Sequence, residues 1–411
     1  MVSVPQFAAT PAAHLAGSSG YRRVTAALCG AGLASFAAMY CTQALLPALS
    51  AYYRISPATS ALTVSLTTGM LALAIVPASV LSERYGRIAV MLVSGITSST
   101  IGLLLPFSPS LGVLLVGRAL QGVALAGIPA VAMAFLAEEV HASSLGSAMG
   151  RYIAGTTIGG CAGRIIPALV LEVSNWRVAL LVCSVTTLAA TVVFALLVPR
   201  SQFFTPKTVS MRVTTQSLLD HLRNPLLLKL FSLAFTLMGG FVTVYNYLGY
   251  RLAAAPFALA PSVVGLLFLL YLVGTGTSVV AGRLADRRGR MLVLGGALPV
   301  TVVGLLMTLP DALPVIVAGT GVFTGGFFAA HAVASGWVGA VVRRDRAEAS
   351  ALYLFSYYLG GSVAGAVGGL VYSVGGWAAT VWFVGTLLIL ALLLVASLVR
   401  VAVPVRVRSL S

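Results

Sequence analysis

"SVLSERYGRIAVML" at 79–92 and "GRLADRRGRMLVLG" at 282–295 set an acid, an arginine, a glycine and a second arginine at one spacing. Glu83, Arg84, Gly86 and Arg87 of the first stretch meet Asp286, Arg287, Gly289 and Arg290 of the second at a constant offset of 203, in a chain of 411 residues. So charged a phrase, repeated half a chain away, marks an internal duplication.

What is duplicated follows from composition. Apolar residues make up 59% of the chain, charged residues 8%, and the mean hydropathy is +1.02. A water-facing surface needs about a quarter of its residues charged, so the chain reads as many membrane spans. The formal charge of +16 raises nucleic-acid binding. However, the basic residues sit in short links between apolar runs, where the positive-inside rule places them, so no nucleic-acid partner is expected. Cys29, Cys41, Cys161 and Cys183 all lie in apolar segments without metal-ligand spacing. They read as packing residues, and no metal or cofactor is expected.

Apolar runs long enough to cross a bilayer occur at about 24–50, 58–81, 88–106, 111–137, 147–171 and 177–198, then at about 226–250, 260–284, 290–309, 312–341, 348–372 and 376–399. The expected fold is an all-α integral membrane protein with twelve transmembrane helices in two six-helix repeats. With the N-terminus inside, cytoplasmic segments hold 20 Lys and Arg against three outside (Arg54, Arg177 and Arg251), leaving Arg118 and Arg164 within helices. Both termini are therefore expected in the cytoplasm of a multi-pass cell-membrane protein. The expected organisation is a cytosolic tail (1–23), an N-terminal bundle (24–198), a cytoplasmic linker (199–225), a C-terminal bundle (226–400) and a second tail (401–411).

The repeat extends beyond the loops. "YIAGTTIGGCAG" (152–163) aligns with "YLFSYYLGGSVAG" (353–365) at an offset of 201, pairing Gly159 and Gly160 with Gly360 and Gly361; Trp176 meets Trp377 at the same offset. "GRLADRRGR" resembles the cytoplasmic loop signature of the major facilitator superfamily, and "GRALQG" (117–122) resembles its fourth-helix motif. "GTTIGGCAGR" (155–164) is similar to its fifth-helix antiporter motif, with Gly160 in place of the usual proline and Arg164 where glycine is common. "MYCTQALLP", "GFFAAHAVAS" and "ALYLFSYYLGGSVAG" further resemble the YnfM-type branch of drug and sugar efflux permeases. The resemblance implies a secondary transporter, not an enzyme: export of a small molecule (drug, sugar or other metabolite) by proton antiport, with multidrug resistance as its setting.

Residue chemistry supplies candidates. Glu83 and Asp286 can accept charge-assisted hydrogen bonds from arginine, and Gly86 and Gly289 permit a tight turn. With Arg84, Arg87, Arg287 and Arg290 they read as a cytoplasmic gate. The second copy, which keeps Gly282 and Asp286, is expected to be the tighter latch, since the first has Ser79 and Glu83. All nine acids lie at span ends or in links, so the only mid-membrane charges are Arg118 and Arg164. Intramembrane ionisable groups are functional candidates by default. Both are assigned to substrate binding with the amides Gln43 and Asn246, 203 apart, and the neighbouring Tyr40 and Tyr245. Gly159, Gly160, Gly163, Gly360 and Gly361 are expected to allow close helix packing. His331, the only histidine within a span, is the proton-coupling candidate; Glu138 and Glu139 are secondary coupling candidates that read rather as solvated charges at a helix end. The protein is expected to act as a monomer in the lipid bilayer. Two alternatives stand beside this reading: an exchanger of anionic metabolites using Arg118 and Arg164, and a membrane-embedded enzyme.

Overall fold

The structure is a computed structural model and describes residues 13–206, 211–342 and 345–402. Much of both expected tails, and with them Lys207, Arg343, Arg344, Arg406 and Arg408, lies outside the described residues. The chain is helical almost throughout. The spans are α1 (Ser19–Tyr53), α2 (Pro57–Tyr85), α3 (Arg87–Phe107), α4 (Leu111–Glu139), α5 (Ala142–Val173), α6 (Trp176–Leu197), α7 (Pro225–Ala253), α8 (Pro261–Arg288), α9 (Arg290–Leu306) and α10 (Leu313–Val341). One further helical stretch, Arg346–Ala402, is broken at Gly376 by a positive φ of 61°, which divides it into α11 (346–375) and α12 (377–402). The twelve expected spans are thus present. The α11–α12 connection is a single left-handed residue, where hydropathy alone suggests a short loop.

Local chemistry sets the boundaries. Ser18, Ser56, Ser110, Asn175 and Asn224 each accept a backbone N–H in the first turn of a helix, and Pro57 and Pro225 begin α2 and α7 where no N–H is needed. Gly86 and Gly289 stand between α2 and α3 and between α8 and α9 with φ of 99° and 93°, a region closed to most side chains. The repeated phrase therefore makes the same turn twice. That turn, Glu139, the chain at 201–203 and Asp345 lie at one end of the bundle, the basic end. Arg54, Asn175, Phe257 and Asp311 lie at the far end.

Small residues decide the packing within each half. A Cβ on Gly155 would lie 2.4 Å from the Cys29 carbonyl oxygen, on Gly159 2.4 Å from that of Leu33, and on Gly163 2.5 Å from that of Ala37. These glycines recur every four residues, so one stripe of α5 lies directly on the α1 backbone. In the second half a Cβ on Gly360 would lie 2.1 Å from the Phe235 carbonyl oxygen, so α11 meets α7 in the same manner. A Cβ on Gly361 would lie 3.1 Å from a Val242 methyl. Gly160 differs: a Cβ there would meet only Arg164 Nη1, at 3.2 Å. It makes room for a side chain of its own helix, which corrects its assignment to helix packing.

Five side-chain hydrogen bonds join the two halves: Gln43 to Asn246, Ser50 to Tyr250, Tyr250 to Leu46 O, Ser362 to Ser65 O and Cys161 to Phe268 O. All lie between mid-depth and the far end. Among the described residues, no hydrogen bond or ion pair joins the halves at the basic end.

Candidate functional site

Two spans are interrupted near mid-depth. In α1 the α-helix ends at Tyr40, a 3-10 turn covers Gln43–Leu45, and α-helix resumes at Leu46–Tyr53. In α8 a 3-10 turn, Leu267–Leu270, separates Pro261–Leu266 from Tyr271–Arg288. Irregular backbone is tolerated at this depth only where protein encloses it or it lines a cavity, and such breaks commonly frame binding sites.

Arg164 of α5 lies between the two breaks, 2% exposed. Nε donates to Gln43 Oε1 at 2.5 Å, and Nη1 donates to the Gly160 carbonyl at 2.5 Å. Three rings face the guanidinium: Tyr40 at 4.0 Å, Tyr271 at 4.8 Å and Phe268 at 5.0 Å. These cation–π contacts and two neutral acceptors hold the charge; no acid pairs with it among the described residues. Gln43 in turn donates through Nε2 to Asn246 Oδ1 at 2.7 Å, across the interface of the halves. Because Asn246 accepts from the Gln43 amide nitrogen, the Gln43 oxygen is turned to Arg164.

The structure therefore brings Tyr40, Gln43, Arg164 and Asn246 together. Tyr245 joins them through Phe268, its ring 5.4 Å away, while its hydroxyl bonds Thr324 at 2.7 Å. Above this layer, towards the far end, is a cavity of about 270 Å³ between α1, α5, α7 and α8. Gln43, Tyr245 and Phe268 line it among mostly aliphatic residues such as Leu171, Leu248 and Val264.

Arg118 does not reach this cavity. It is fully enclosed, donating to Thr63 O at 2.9 Å, Ala38 O at 2.8 Å, Met39 O at 2.6 Å and Gln121 Oε1 at 2.5 Å. The last carbonyls of an α-helix have no partner within it, and Ala38 and Met39 stand where the first segment of α1 ends. Arg118 caps that end with its cation, which the helix dipole favours. Its place in this structure is behind the α1 break, away from the cavity.

His331 of α10 is half-buried, with Nδ1 3.0 Å from the Tyr353 hydroxyl. Its ring lies 4.5 Å from that of Tyr357 and 5.9 Å from that of Phe327. Phe327, Phe328 and Tyr271 continue ring to ring, with centroids 5.3 and 5.8 Å apart, back to the cage around Arg164.

At the basic end the ion network forms in the first loop, not the second. Arg87, buried, donates to Glu138 at 2.8 Å, to Glu83 and to Ser82 Oγ at 2.6 Å. Arg84 is exposed over the ring of Tyr85. Asp286, Arg287 and Arg290 enter no ion pair among the described residues, and Asp286 is exposed. In this structure the ion network thus stands in the first loop alone among the described residues. The sequence holds the reason: the end of α10, "VGAVV" at 338–342, has no acid where α4 ends in Glu138 and Glu139. The reading of Glu138 and Glu139 as solvated also changes. Glu139 is fully buried and accepts hydrogen bonds from Ser201 Oγ and from the backbone N–H groups of Gln202 and Phe203.

Sequence reasoning missed Phe268, Tyr271, Tyr353 and the Glu139 clamp. Phe268 and Tyr271 lie in an apolar run without any polar mark; the one available signal was Tyr271, the sole tyrosine of α8. No group of three His, Cys, Asp or Glu that could hold a metal ion occurs among the described residues.

A sequence model described as Major Facilitator Superfamily matches residues 28–274 and 247–411. The inner membrane transport protein YnfM of Escherichia coli (strain K12) is 42% identical over 377 residues, 92% of this chain and 90% of that protein. The uncharacterized MFS-type transporter YybF of Bacillus subtilis (strain 168) is 39% identical over 384 residues, 93% and 95% of the two chains. A bacterial homologue of the human lysosomal transporter Spinster, crystallised in an inward-facing and occupied conformation, superposes with a TM-score of 0.76 at 15% identity, covering 93% of this chain and 98% of that one. The nucleoside transporter NupG follows at 0.71 and 14%, covering 91% and 99%. Two duplicated six-helix halves, interrupted helices around a mid-depth polar layer and full-length relatives agree: the chain belongs to the Major Facilitator Superfamily and is a multi-pass membrane transporter of a small molecule.

Proposed function

We propose that this transporter exports its solute by alternating access, two units (24–198 and 226–400, joined by the link 199–225) rocking about the layer of Gln43, Arg164 and Asn246 in exchange for protons. The observation that carries this reading is the one-sided distribution of hydrogen bonds between the halves. All five hydrogen bonds lie from mid-depth to the far end, and none lies at the basic end among the described residues. Such an arrangement is one of the two states a rocking cycle needs. The positive-inside rule supports a cytoplasmic position for the basic end, and on that reading this state faces inward. Arg87, Glu83 and Glu138 brace the first cytoplasmic loop, and the second loop is free to move. His331 carries the proton, its ring held through Nδ1 by the Tyr353 hydroxyl at 3.0 Å. The protein works as a monomer in the cell membrane.

Transport by the purified protein in proteoliposomes tests this. An imposed pH gradient is expected to drive solute against its concentration gradient, and His331→Phe is expected to abolish the drive while leaving downhill flux. Unaltered pH-driven flux in that variant removes His331 from the coupling. A second reading, exchange of one anionic metabolite for another, is favoured by the unpaired charge of Arg164. It predicts uptake that needs internal anion and ignores the pH gradient.

A further inference from the structure

The solute's chemistry follows from the charge the site leaves unbalanced. Arg164 is buried between two helix breaks with only neutral oxygens and ring faces around it. A buried cation without a counter-charge is held at a cost in free energy that a bound anion would relieve. The rings that could cage a cationic solute are already turned on the protein's own guanidinium. The cavity beyond offers one amide, Gln43, and one hydroxyl, Tyr245, among fifteen lining residues, too few to match the hydroxyls of a polyol. Gln43 and Phe268 are at once part of the cavity wall and direct neighbours of Arg164.

We propose that the transported solute is a small organic monoanion, a carboxylate on an apolar or aromatic body, whose carboxylate displaces the Gln43 amide oxygen from Arg164 while its body occupies the apolar cavity between α1, α5, α7 and α8. The Gln43 oxygen, held in place by Asn246, is the neutral occupant of the carboxylate position in the empty site. Displacement breaks its bond to Arg164 and leaves the amide its bond to Asn246, so Gln43 opens the way without losing its other partner. This inference rests on the transport reading above but not on its coupling ion.

The test is binding to purified full-length protein in lipid nanodiscs, by titration with benzoate, phenylacetate and 3-phenylpropionate. Each is compared with its uncharged amide and with the amine of the same carbon skeleton. The expected result is that at least one carboxylate binds about tenfold or more tighter than its amide and amine, the measure of one charge-assisted contact. Arg164→Ala is expected to abolish that preference. Gln43→Glu supplies a resident carboxylate at the same position. It is expected to raise the unfolding temperature of the ligand-free protein and to remove carboxylate binding, which a merely disruptive change would not do. Equal or tighter binding of the amides or amines overturns the inference, as does carboxylate binding that survives Gln43→Glu. Proteoliposomes loaded with the same panel separate the two levels of the argument. Transport of neutral or cationic members alone removes the anion site and keeps the transporter cycle. Binding of a carboxylate without movement of it across the bilayer removes the cycle and keeps the site.

Discussion

Gln43 Nε2 and Asn246 Oδ1 lie 2.7 Å apart across the boundary of the two halves, joining positions separated by 203 residues, the spacing of the repeated loop phrase. A bond between moving units exists in one state of the cycle and is absent in the other. Asn246→Leu leaves the Gln43 amide buried without its acceptor, at a cost of about 1–3 kcal/mol confined to this state. The population then shifts towards the opposite state by about 5- to 150-fold. A thiol probe at Leu248→Cys, buried on the cavity wall, is expected to label faster in the Asn246→Leu background. An unchanged labelling rate means that the amide pair does not bias the cycle.

Arg118 holds the α1 break together through carbonyls of two helices. Arg118→Ala strands those oxygens in a dry interior, and a loss on the order of 3 kcal/mol in stability is expected. Arg118→Lys is expected to rescue little, since one ammonium cannot reach Thr63, Ala38 and Met39 with the geometry of the planar fork. Thermal unfolding of the purified variants reads this directly. A lysine variant as stable as the parent contradicts the capping role.

Adjacent glycines of α5 should respond in opposite ways. Gly159→Ala places a methyl 2.4 Å from the Leu33 backbone oxygen and forces α1 and α5 apart. Gly160→Ala meets only the guanidinium of Arg164, at 3.2 Å, and no backbone. The first variant is expected to lose monodisperse protein on size-exclusion chromatography, at a cost of about 1–3 kcal/mol. The second is expected to fold and to lose transport, because it displaces the guanidinium.

The loop networks predict an asymmetry between equivalent residues. Glu138→Ala removes the partner that Arg87 holds at 2.8 Å, and stability is expected to fall by about 1–3 kcal/mol. Arg290→Ala, at the equivalent of Arg87, is expected to stay within about 0.5 kcal/mol of the parent. Equal losses in the two variants refute the assignment of the ion network to the first loop.

Fold and site were legible in the sequence to different degrees, for physical reasons. Hydropathy and the positions of Gly86 and Gly289 report on backbone conformation and solvent class, and these determine the twelve spans and their paired turns. The offset that links Gln43 with Asn246 places both at one depth, and there they bond. Arg118 and Arg164 look alike in sequence because both are arginines inside apolar helices. They part only when the neighbours are known: Arg118 meets backbone oxygens released by the end of a helical segment, Arg164 meets ring faces. The 3-10 turns of α1 and α8 leave no mark in composition, so Phe268 and Tyr271 stayed hidden among the lipid-compatible residues of α8. Glu139 escaped for the opposite reason, since a charge at a helix end looks solvated until the chain that covers it is seen.

That covering segment has a mechanical consequence. Glu139 grips the chain at 201–203, and the helix Met211–Arg223 is fastened to the other half by Ser217 and His221, which bond Asp345 at 2.9 and 3.1 Å. Between Phe203 and Met211 run eight peptide steps, at most about 29 Å when fully stretched. While both fastenings hold, the connection is a leash of fixed length, and the stroke of the two halves at the basic end cannot exceed what that leash pays out.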